Sequence, residues 1–300
     1  MIRFCTKSDL FSIEKICKES FYLTAFHTDP YFKLESASSA VWEMYGRPAF
    51  SFSKIPCLVF EEDGIVKGFL IYGFLSQLSE ILNKKIASII LLAVLPSFQN
   101  KGIGFNLVKT ICKIFSKNKV QVVTVGTDLD NFYAIRLYEK IGFRPILYWN
   151  TWRFYGCNKE ESFLEKSEKE IKGPGLLLLS SFLEDSNFNE KDKEILSSFL
   201  NLKSYSKDSI VVDIDDSIVV FEKNEILSSI CNLNFFRLSS LHCKEESMQK
   251  VIFESLKFLP KGSFAVEVFV KDKDKLIEET LKSLKFNLIH KAITLHLSLD

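Results

Sequence analysis

The stretch LPSFQNKGIGFNLV, residues 95–108, joins an apolar run to the start of an amphipathic segment. The first turn of a helix carries unpaired N–H groups and the positive end of the helix dipole, so it attracts phosphate oxygens. Gly102 and Gly104 permit close backbone approach, and Gln99 and Lys101 add side-chain donors. The spacing Q-x-x-G-x-G predicts a pyrophosphate-binding turn, with a plain glycine turn into a helix as the alternative. It matches neither the Walker nor the Rossmann glycine pattern, which argues against nucleoside triphosphates and nicotinamide cofactors.

A second pattern, N-x-x-A-x-x-L-Y-x-x-x-G-F, covers residues 131–143. Asn131 is predicted to cap a helix and Gly142 to end it. Tyr138 lies on the apolar face of this predicted helix, where a tyrosine is either a core residue with a satisfied hydroxyl or a proton donor to a reacting group. The second motif therefore adds a candidate general acid to the candidate phosphate site.

The elements that must position these motifs follow from the periodicity of apolar residues. They are a strand at Ile2–Cys5, a helix from Ser8 to about His27, a hairpin around EEDG, a strand at Ile86–Val94, a helix from Gly102 to about Phe115, a strand VQVVTVGTD, a helix over NFYAIRLYEKIGF and a strand FRPILYWNTWRFYG. Both glycine and tyrosine motifs thus begin helices that follow buried strands. An α/β (α+β) fold is expected, with a mixed sheet flanked by helices.

The second half of the chain repeats this order of hairpin, strand, helix, strand, helix and strand. LYEKIGFRPIL aligns with TLKSLKFNLIH, which places Phe143 on Phe286 and Tyr138 on Leu281. In place of the glycine turn the second half has HCKEESMQKV, whose two glutamates would repel phosphate. A charged run ending in Gly-Pro-Gly separates the halves. We predict a catalytic domain at 1–157, a linker at 158–175 and a degenerate copy at 176–300.

Bulk composition narrows the class of protein. The 300 residues are 47% hydrophobic and 26% charged, which suits two folded domains. A net charge of +1 gives no general affinity for nucleic acid or an anionic membrane. The seven cysteines are scattered without C-x-x-C, so no disulfide framework or metal site is expected. We predict a cytoplasmic protein without a signal peptide or membrane span.

The two motifs together resemble the GNAT superfamily, the Gcn-five-related N-acetyltransferases, over about residues 1–155. The resemblance implies two tandem GNAT-like domains, each with a mostly antiparallel sheet, and acetyl-CoA as the co-substrate without a metal. It implies that acetyl-CoA contacts the turn and the strand before it. The implied binding residues are Leu92, Ala93, Val94, Gln99, Asn100, Lys101, Gly102, Ile103, Gly104, Phe105, Asn131 and Tyr138.

The resemblance also implies direct attack by an amine, with Tyr138 reprotonating the departing thiolate. The general base is less determined, because Gly126 stands where the branch that acetylates protein N-termini commonly has a glutamate. Asp128 is the base that we name, and Glu80, Glu43 or a water chain are the alternatives.

We expect the acceptor to be a primary amine on a small molecule, held in an aromatic pocket by stacking or cation–π contacts. The pocket residues would be Tyr22, His27, Tyr31, Trp42 and Trp149, although aromatic core residues explain the same pattern. A protein acetyltransferase acting on a chain N-terminus or lysine, and a non-catalytic CoA-binding regulator, are the alternative functions. The second domain either walls the acceptor cleft, which we favour, or forms the surface of a homodimer.

Overall fold

The computed structural model describes residues 1–21, 41–159, 182–201, 209–214, 217–231 and 233–299. These residues form two compact units that are not contiguous in sequence. Unit 1 consists of Met1–Leu147, Glu184–Ile195 and Ala292–Asp300, and unit 2 consists of Tyr148–Leu183 and Leu196–Lys291. The chain therefore leaves unit 1 and returns to it twice.

Unit 1 is built on a mixed, mostly antiparallel sheet. Its strands are β1 (Ile2–Phe4), β2 (Cys57–Glu62), β3 (Ile65–Phe74), β4 (Ile86–Val94), β5 (Val122–Asp128) and residues 292–298 of β11 (Asn287–Ser298). They lie in the order β1-β2-β3-β4-β5-β11. β4 and β5 run parallel, whereas the other neighbouring pairs are antiparallel.

Helices cover both faces of the unit 1 sheet. They are α1 (Leu10–Ser20), α2 (Ser76–Leu82), α3 (Ile103–Lys117), α4 (Phe132–Ile141) and the first half of α5 (Glu190–Asn201). Alternate residues of a strand point to opposite faces, so Leu70 joins a core cluster with α3 and Phe69 joins a second cluster with α1. The periodicity of α3 explains its place, since its apolar residues recur on one side and are buried there.

The returning segments are tied to unit 1 by buried contacts. Ile293 and Leu295 of β11 belong to the same core cluster as α3. His296 Nδ1 lies 2.6 Å from Asp185 Oδ2, and both side chains are almost fully buried. Lys84 forms an ion pair of 2.8 Å with Asp192. Unit 1 is thus completed by residues that lie far along the chain.

Unit 2 has its own sheet and core. Its strands are β6 (Arg144–Asn158, from residue 148), β7 (Ser209–Ile214), β8 (Ser217–Lys223), β9 (Asn234–His242) and β10 (Gly262–Lys271), in the order β6-β10-β9-β8-β7. Its further helices are α6 (Glu225–Cys231), α7 (Met248–Leu256) and α8 (Lys275–Ser283). Val251 of α7, Leu281 of α8 and Trp152 of β6 share one apolar cluster on this sheet.

The expected fold class is confirmed, because helices flank a mixed and mostly antiparallel sheet. The predicted contiguous ranges 1–157 and 176–300 differ from the compact units. The reason is that β6 pairs along residues 149–158 with β10, while residues 292–298 of β11 pair with β5. Most of the predicted linker lies outside the described residues, and the domain assignment itself stays a prediction.

None of the helices in the described part of the chain is long and apolar enough to cross a membrane. The cytoplasmic location and the homodimer stay predictions.

Candidate active site

The two parallel strands of unit 1 diverge halfway along their length. Their pairing runs from Ile86 opposite Val122 to Ile89 opposite Val125 and ends there. Beyond that point β4 continues to Val94 beside β3, and β5 continues beside β11. An opening therefore forms between the carboxyl-terminal halves of β4 and β5, next to the helices that follow them.

The edge of β4 at this opening presents backbone groups. Leu95 donates from its backbone N to Lys67 O on β3 at 2.9 Å, and Val94 lies opposite Gly68. Residues of an antiparallel strand alternate in the side to which their N–H and C=O point. Leu92 and Val94 therefore direct theirs away from β3, whereas Ala93 pairs with β3. Of the three residues implied by the family resemblance, two face the opening.

The predicted phosphate turn lies directly after this edge. A single 3₁₀ turn, Pro96–Phe98, leads into the loop 99–102, in which Asn100 and Gly102 have left-handed φ values of 60° and 80°. Gly102 is the N-cap of α3 and receives the first helical bond, from Asn106 N at 3.0 Å. The amides at the start of α3 precede that bond and have no intrahelical acceptor. The turn presents them together with the dipole of a 15-residue helix.

The two glycines of the turn serve different purposes. A Cβ on Gly102 would meet no atom closer than 3.9 Å, so its glycine is required by the positive φ. A Cβ on Gly104 would approach Leu137 Cδ1 to 3.1 Å, so this glycine allows α3 and α4 to pack closely. The sequence analysis assigned both glycines to close approach by a ligand. In this structure the missing side chain of Gly104 also leaves room for Leu137 of α4.

The side chain of Gln99 is engaged within the protein. Its Nε2 donates to Val94 O at 3.1 Å, and Ser20 Oγ at the end of α1 donates to the same oxygen at 3.0 Å. The sequence predicted Gln99 as a donor to phosphate. Ser20 carried no signal in the sequence, because its partner lies 74 residues away.

Lysines surround the turn. They are Lys67, Lys101, Lys109 and Lys140. The ammonium groups of Lys67 and Lys101 lie 4.4 and 4.8 Å from the centroid of the Phe98 ring. Those of Lys109 and Lys140 lie 5.9 and 5.3 Å from that of Phe105. Lys67 is buried in β3 and pairs with Glu62, and this hydrogen bond lowers the pKa of the Glu62 carboxyl. The turn therefore combines helix amides with nearby positive charge.

The second motif begins α4 as predicted. Asn131 is the N-cap, and its Oδ1 accepts from Ala134 N at 3.2 Å. Tyr138 is only 4% exposed and belongs to the core cluster under α3, with its ring 5.5 Å from that of Phe143. Burial raises the pKa of the Tyr138 hydroxyl, which is therefore protonated at neutral pH. The geometry fits both a core tyrosine and a group that holds a proton ready for donation.

Residues 16–143 match the model of the Acetyltransferase (GNAT) family. These residues form a GNAT acetyltransferase domain. The spore coat polysaccharide biosynthesis protein SpsD of Bacillus subtilis (strain 168) is 30% identical over 152 residues, or 48% of this chain and 48% of that protein. The match thus spans about half the length of that curated relative.

Solved structures extend the likeness of fold to the whole chain. A GCN5-related N-acetyltransferase from Sphaerobacter thermophilus is 12% identical, with a TM-score of 0.55, over 100% of this chain and 95% of that one. Another, from Anabaena variabilis, is 10% identical, with a TM-score of 0.50, over 100% of this chain and 73% of that one. At these identities the comparison shows the fold alone. The GNAT family in general consists of acyl-CoA N-acetyltransferases.

Of the candidate bases, Asp128 lies at the opening. It ends β5, three residues beyond the last parallel pair with β4, and stands opposite Ala292. Glu80 lies on α2, which precedes β4 and therefore adjoins the opposite end of that strand. Glu43 forms an ion pair of 2.7 Å with Arg47. Of these three, Asp128 is the residue that ends a strand at the opening.

Of the predicted aromatic pocket, the structure describes Trp42 and Trp149. Trp42 is 1% exposed in the core cluster with α1, packed against Phe50 and Gly46, so it is a core side chain. Trp149 belongs to unit 2, where its ring lies 5.3 Å from Phe269 and 5.7 Å from His290. The remaining predictions, Tyr22, His27 and Tyr31, lie outside the described residues. Aromatic content alone could not distinguish a pocket from a core.

Unit 2 also has two parallel strands that diverge, but its turn before the following helix differs from residues 99–102 of unit 1. β9 and β10 pair in parallel only from Asn234 with Phe264 to Arg237 with Glu267. The 3₁₀ turn Glu245–Ser247 then runs directly into α7, so the loop that separates turn and helix in unit 1 has no counterpart. Two exposed glutamates occupy that turn. Within the described residues, no group of three His, Cys, Asp or Glu side chains is placed to hold a metal ion in either unit.

Proposed function

We propose that unit 1 binds acetyl-CoA at the opening between β4 and β5 and transfers its acetyl group to a primary amine of a small molecule. The proposal rests on one observation, that two sets of backbone groups adjoin each other at this opening. Leu92 directs its N–H and C=O into the opening and Val94 its N–H, and the free amides of the 100–105 turn follow directly. An extended thioester arm can pair with the first, and a pyrophosphate can bind the second.

The protein's part in the reaction is positioning and proton transfer. Backbone N–H groups of β4 are directed at the place where a thioester carbonyl would develop negative charge during amine attack. Tyr138 keeps its proton at neutral pH because burial raises its pKa, and it would deliver that proton to the departing thiolate. No covalent enzyme intermediate is required.

Asp128 is proposed to accept a proton from the ammonium group of the acceptor, directly or through water, which leaves the neutral amine to attack. It is the candidate carboxylate that β5 carries to the opening, and it is only half-buried. Asp128→Asn should lower the plateau of kcat/KM and remove the acidic limb of its pH profile, whereas Asp130→Asn, on the exposed neighbour, should leave the profile unchanged. Equal profiles for the two variants would exclude Asp128 as the base.

The acceptor is proposed to be an amine on a carbohydrate or a similar small molecule. The relative SpsD is named as a protein of spore coat polysaccharide biosynthesis, which supports an acceptor of this class. Unit 2 is proposed to be a degenerate GNAT-like copy, corresponding to the predicted domain at 176–300, that does not bind CoA. Its acidic turn and missing loop support this assignment.

Calorimetric titration with acetyl-CoA tests the proposal. The intact chain should bind about one equivalent, and Gly102→Glu should abolish binding through backbone strain and charge repulsion at the turn. Gly64→Glu is the matched control, because Gly64 has a φ of 74° with open space around it in the β2–β3 hairpin. Unchanged affinity in Gly102→Glu, or equal loss in both variants, would refute the assigned phosphate turn.

Turnover is then followed by thiolate release with a panel of amino sugars, other small amines and peptides. Activity confined to peptides would overturn the small-molecule assignment. Binding without turnover of any amine would favour a CoA-binding regulator.

A further inference from the structure

One peptide group at the candidate site is fixed on both of its edges. Its oxygen, Val94 O, accepts from Ser20 Oγ at 3.0 Å and from Gln99 Nε2 at 3.1 Å. Its nitrogen, that of Leu95, donates to Lys67 O at 2.9 Å. The C=O and N–H of one peptide group point in opposite directions, so these three bonds together set its orientation.

The two bonds to Val94 O join α1 and the turn after β4 to the end of β4. Ser20 is the last residue of α1, and Gln99 is the first residue after the 3₁₀ turn that precedes the phosphate turn. Val94 is the last residue of β4 and faces the opening. The Val94 oxygen is therefore the point at which α1 and the phosphate turn are both tied to the edge of β4.

The orientation of this peptide group matters because the group lies between the two parts of the proposed acetyl-CoA site. Acetyl-CoA would place its pyrophosphate on the turn and its arm along β4, so both contacts form at full strength only if the turn and the strand edge keep a fixed distance. A misplacement of about 1 Å can cost on the order of 100-fold in rate. Between Val94 and Gln99 the regular structure is one 3₁₀ turn, held by backbone bonds from Phe98 N and Gln99 N, and the side chains of Ser20 and Gln99 add the bonds to Val94 O.

We propose that Ser20 and Gln99 are positioning residues of the acetyl-CoA site. Gln99 sets the phosphate turn against the β4 edge, and Ser20 holds the same carbonyl from α1. This inference rests on the proposed function, since it names what keeps the two halves of that site in register. It assigns the Gln99 amide to Val94 instead of to a phosphate oxygen.

Two ligands separate these roles without any need for the acceptor. CoA contacts both turn and strand edge, whereas 3′-phospho-ADP, its nucleotide half, contacts only the turn. Replacing a residue that binds phosphate directly lowers the affinity for both ligands equally. Replacing a residue that sets the strand edge against the turn lowers the affinity for CoA and leaves the affinity for the nucleotide half unchanged.

Calorimetry on the intact chain measures this ratio. Gln99→Met keeps the length of the side chain but removes the donor, and Ser20→Ala removes the hydroxyl. Each should reduce the ratio of CoA affinity to 3′-phospho-ADP affinity about fivefold to tenfold, as expected for one lost hydrogen bond. Ser20→Thr should restore it. Ser51→Ala, which removes a hydroxyl bonded to Pro48 O elsewhere on the surface, is the matched control and should leave it unchanged.

Equal weakening of both ligands in Gln99→Met would overturn the inference and make Gln99 a phosphate ligand. An unchanged ratio in both Ser20→Ala and Gln99→Met would overturn it for both residues. If the unmodified chain binds neither ligand, the proposed function itself fails, which is a different result. Gln99→Leu, also without a donor and without a charge, repeats the test if Gln99→Met lowers the melting temperature.

Discussion

At the scale of single residues, Tyr138 shows how one environment supports two roles. The burial that places it in the core cluster also raises its pKa and keeps the hydroxyl protonated. We expect Tyr138→Phe to retain affinity for acetyl-CoA and stability, because the ring remains, and to lower kcat about 100-fold through loss of the proton donor. Single-turnover kinetics and calorimetry on the same samples measure the two effects. Unchanged kcat would leave Tyr138 with a packing role alone.

Asp9 contributes to the stability of the folded protein. Arg3 donates to both of its carboxylate oxygens at 2.8 Å, and Thr6 N and Thr6 Oγ1 donate at 2.8 and 2.9 Å. The Arg3 hydrogen bonds lower the pKa of Asp9 to about 2. A lowered pKa stabilises the folded state above the unfolded value of about 4, and this stabilisation is lost as the pH falls toward 2.

We therefore expect Asp9 to contribute about 2 kcal/mol of stability at neutral pH that disappears between about pH 4 and pH 2. Urea unfolding, followed by Trp42 fluorescence in a Trp149→Phe, Trp152→Phe background, reports on unit 1. Asp9→Asn should lose stability less steeply than the parent across this range, and Asp63→Asn in the exposed hairpin should follow the parent. Parallel curves for the parent and Asp9→Asn would contradict the assignment.

At the scale of elements, local patterns in the sequence predicted much of unit 1. The strand Ile86–Val94 and the cap and end of α4 are confirmed as predicted, and α3 is confirmed within two residues at its carboxyl end. Each depends on side chains within one strand or a few helical turns, which adjacent residues encode.

Contacts between distant elements were beyond such patterns. Neither the Ser20 bond to Val94 nor the buried Lys67 in β3 has a local signature, because each depends on which strands and helices become neighbours. The burial of Trp42 also depends on distant contacts. Its aromatic type suited a pocket, and only the packing of α1 over it makes it core. The glycine turn before α3 could be predicted from sequence, whereas the hydrogen bonds that hold it could not.

At the scale of the whole molecule, the sheet of unit 1 is completed by residues 292–298. Removal of residues 173–300 therefore does more than delete the second half. It strips Ile293 and Leu295 from the main core, removes His296 and Asp185, and leaves the edge of β5 unpaired. Buried apolar losses of this kind cost several kcal/mol, about 2–5 for each large side chain, and an open strand edge promotes aggregation.

We expect a chain ending at residue 172 to lack a cooperative thermal transition, measured by circular dichroism. Fusing residues 287–300 through a flexible linker to residues 1–147 should recover part of the cooperativity, whereas a scrambled version of that segment should not. A truncated chain that melts cooperatively at the parent temperature would contradict the requirement for β11. The same result would restore the contiguous division at 157.

The position of β11 near the end of the sequence also affects the order in which the two units can fold during synthesis. Residues 122–128 emerge from the ribosome long before residues 292–298, so β5 must wait for its antiparallel neighbour while the whole of unit 2 is synthesised. Pairings between residues so far apart form slowly, and an edge left open meanwhile is exposed to other chains. Unit 1 therefore reaches its final form only after unit 2 has been translated, although it contains the beginning of the chain.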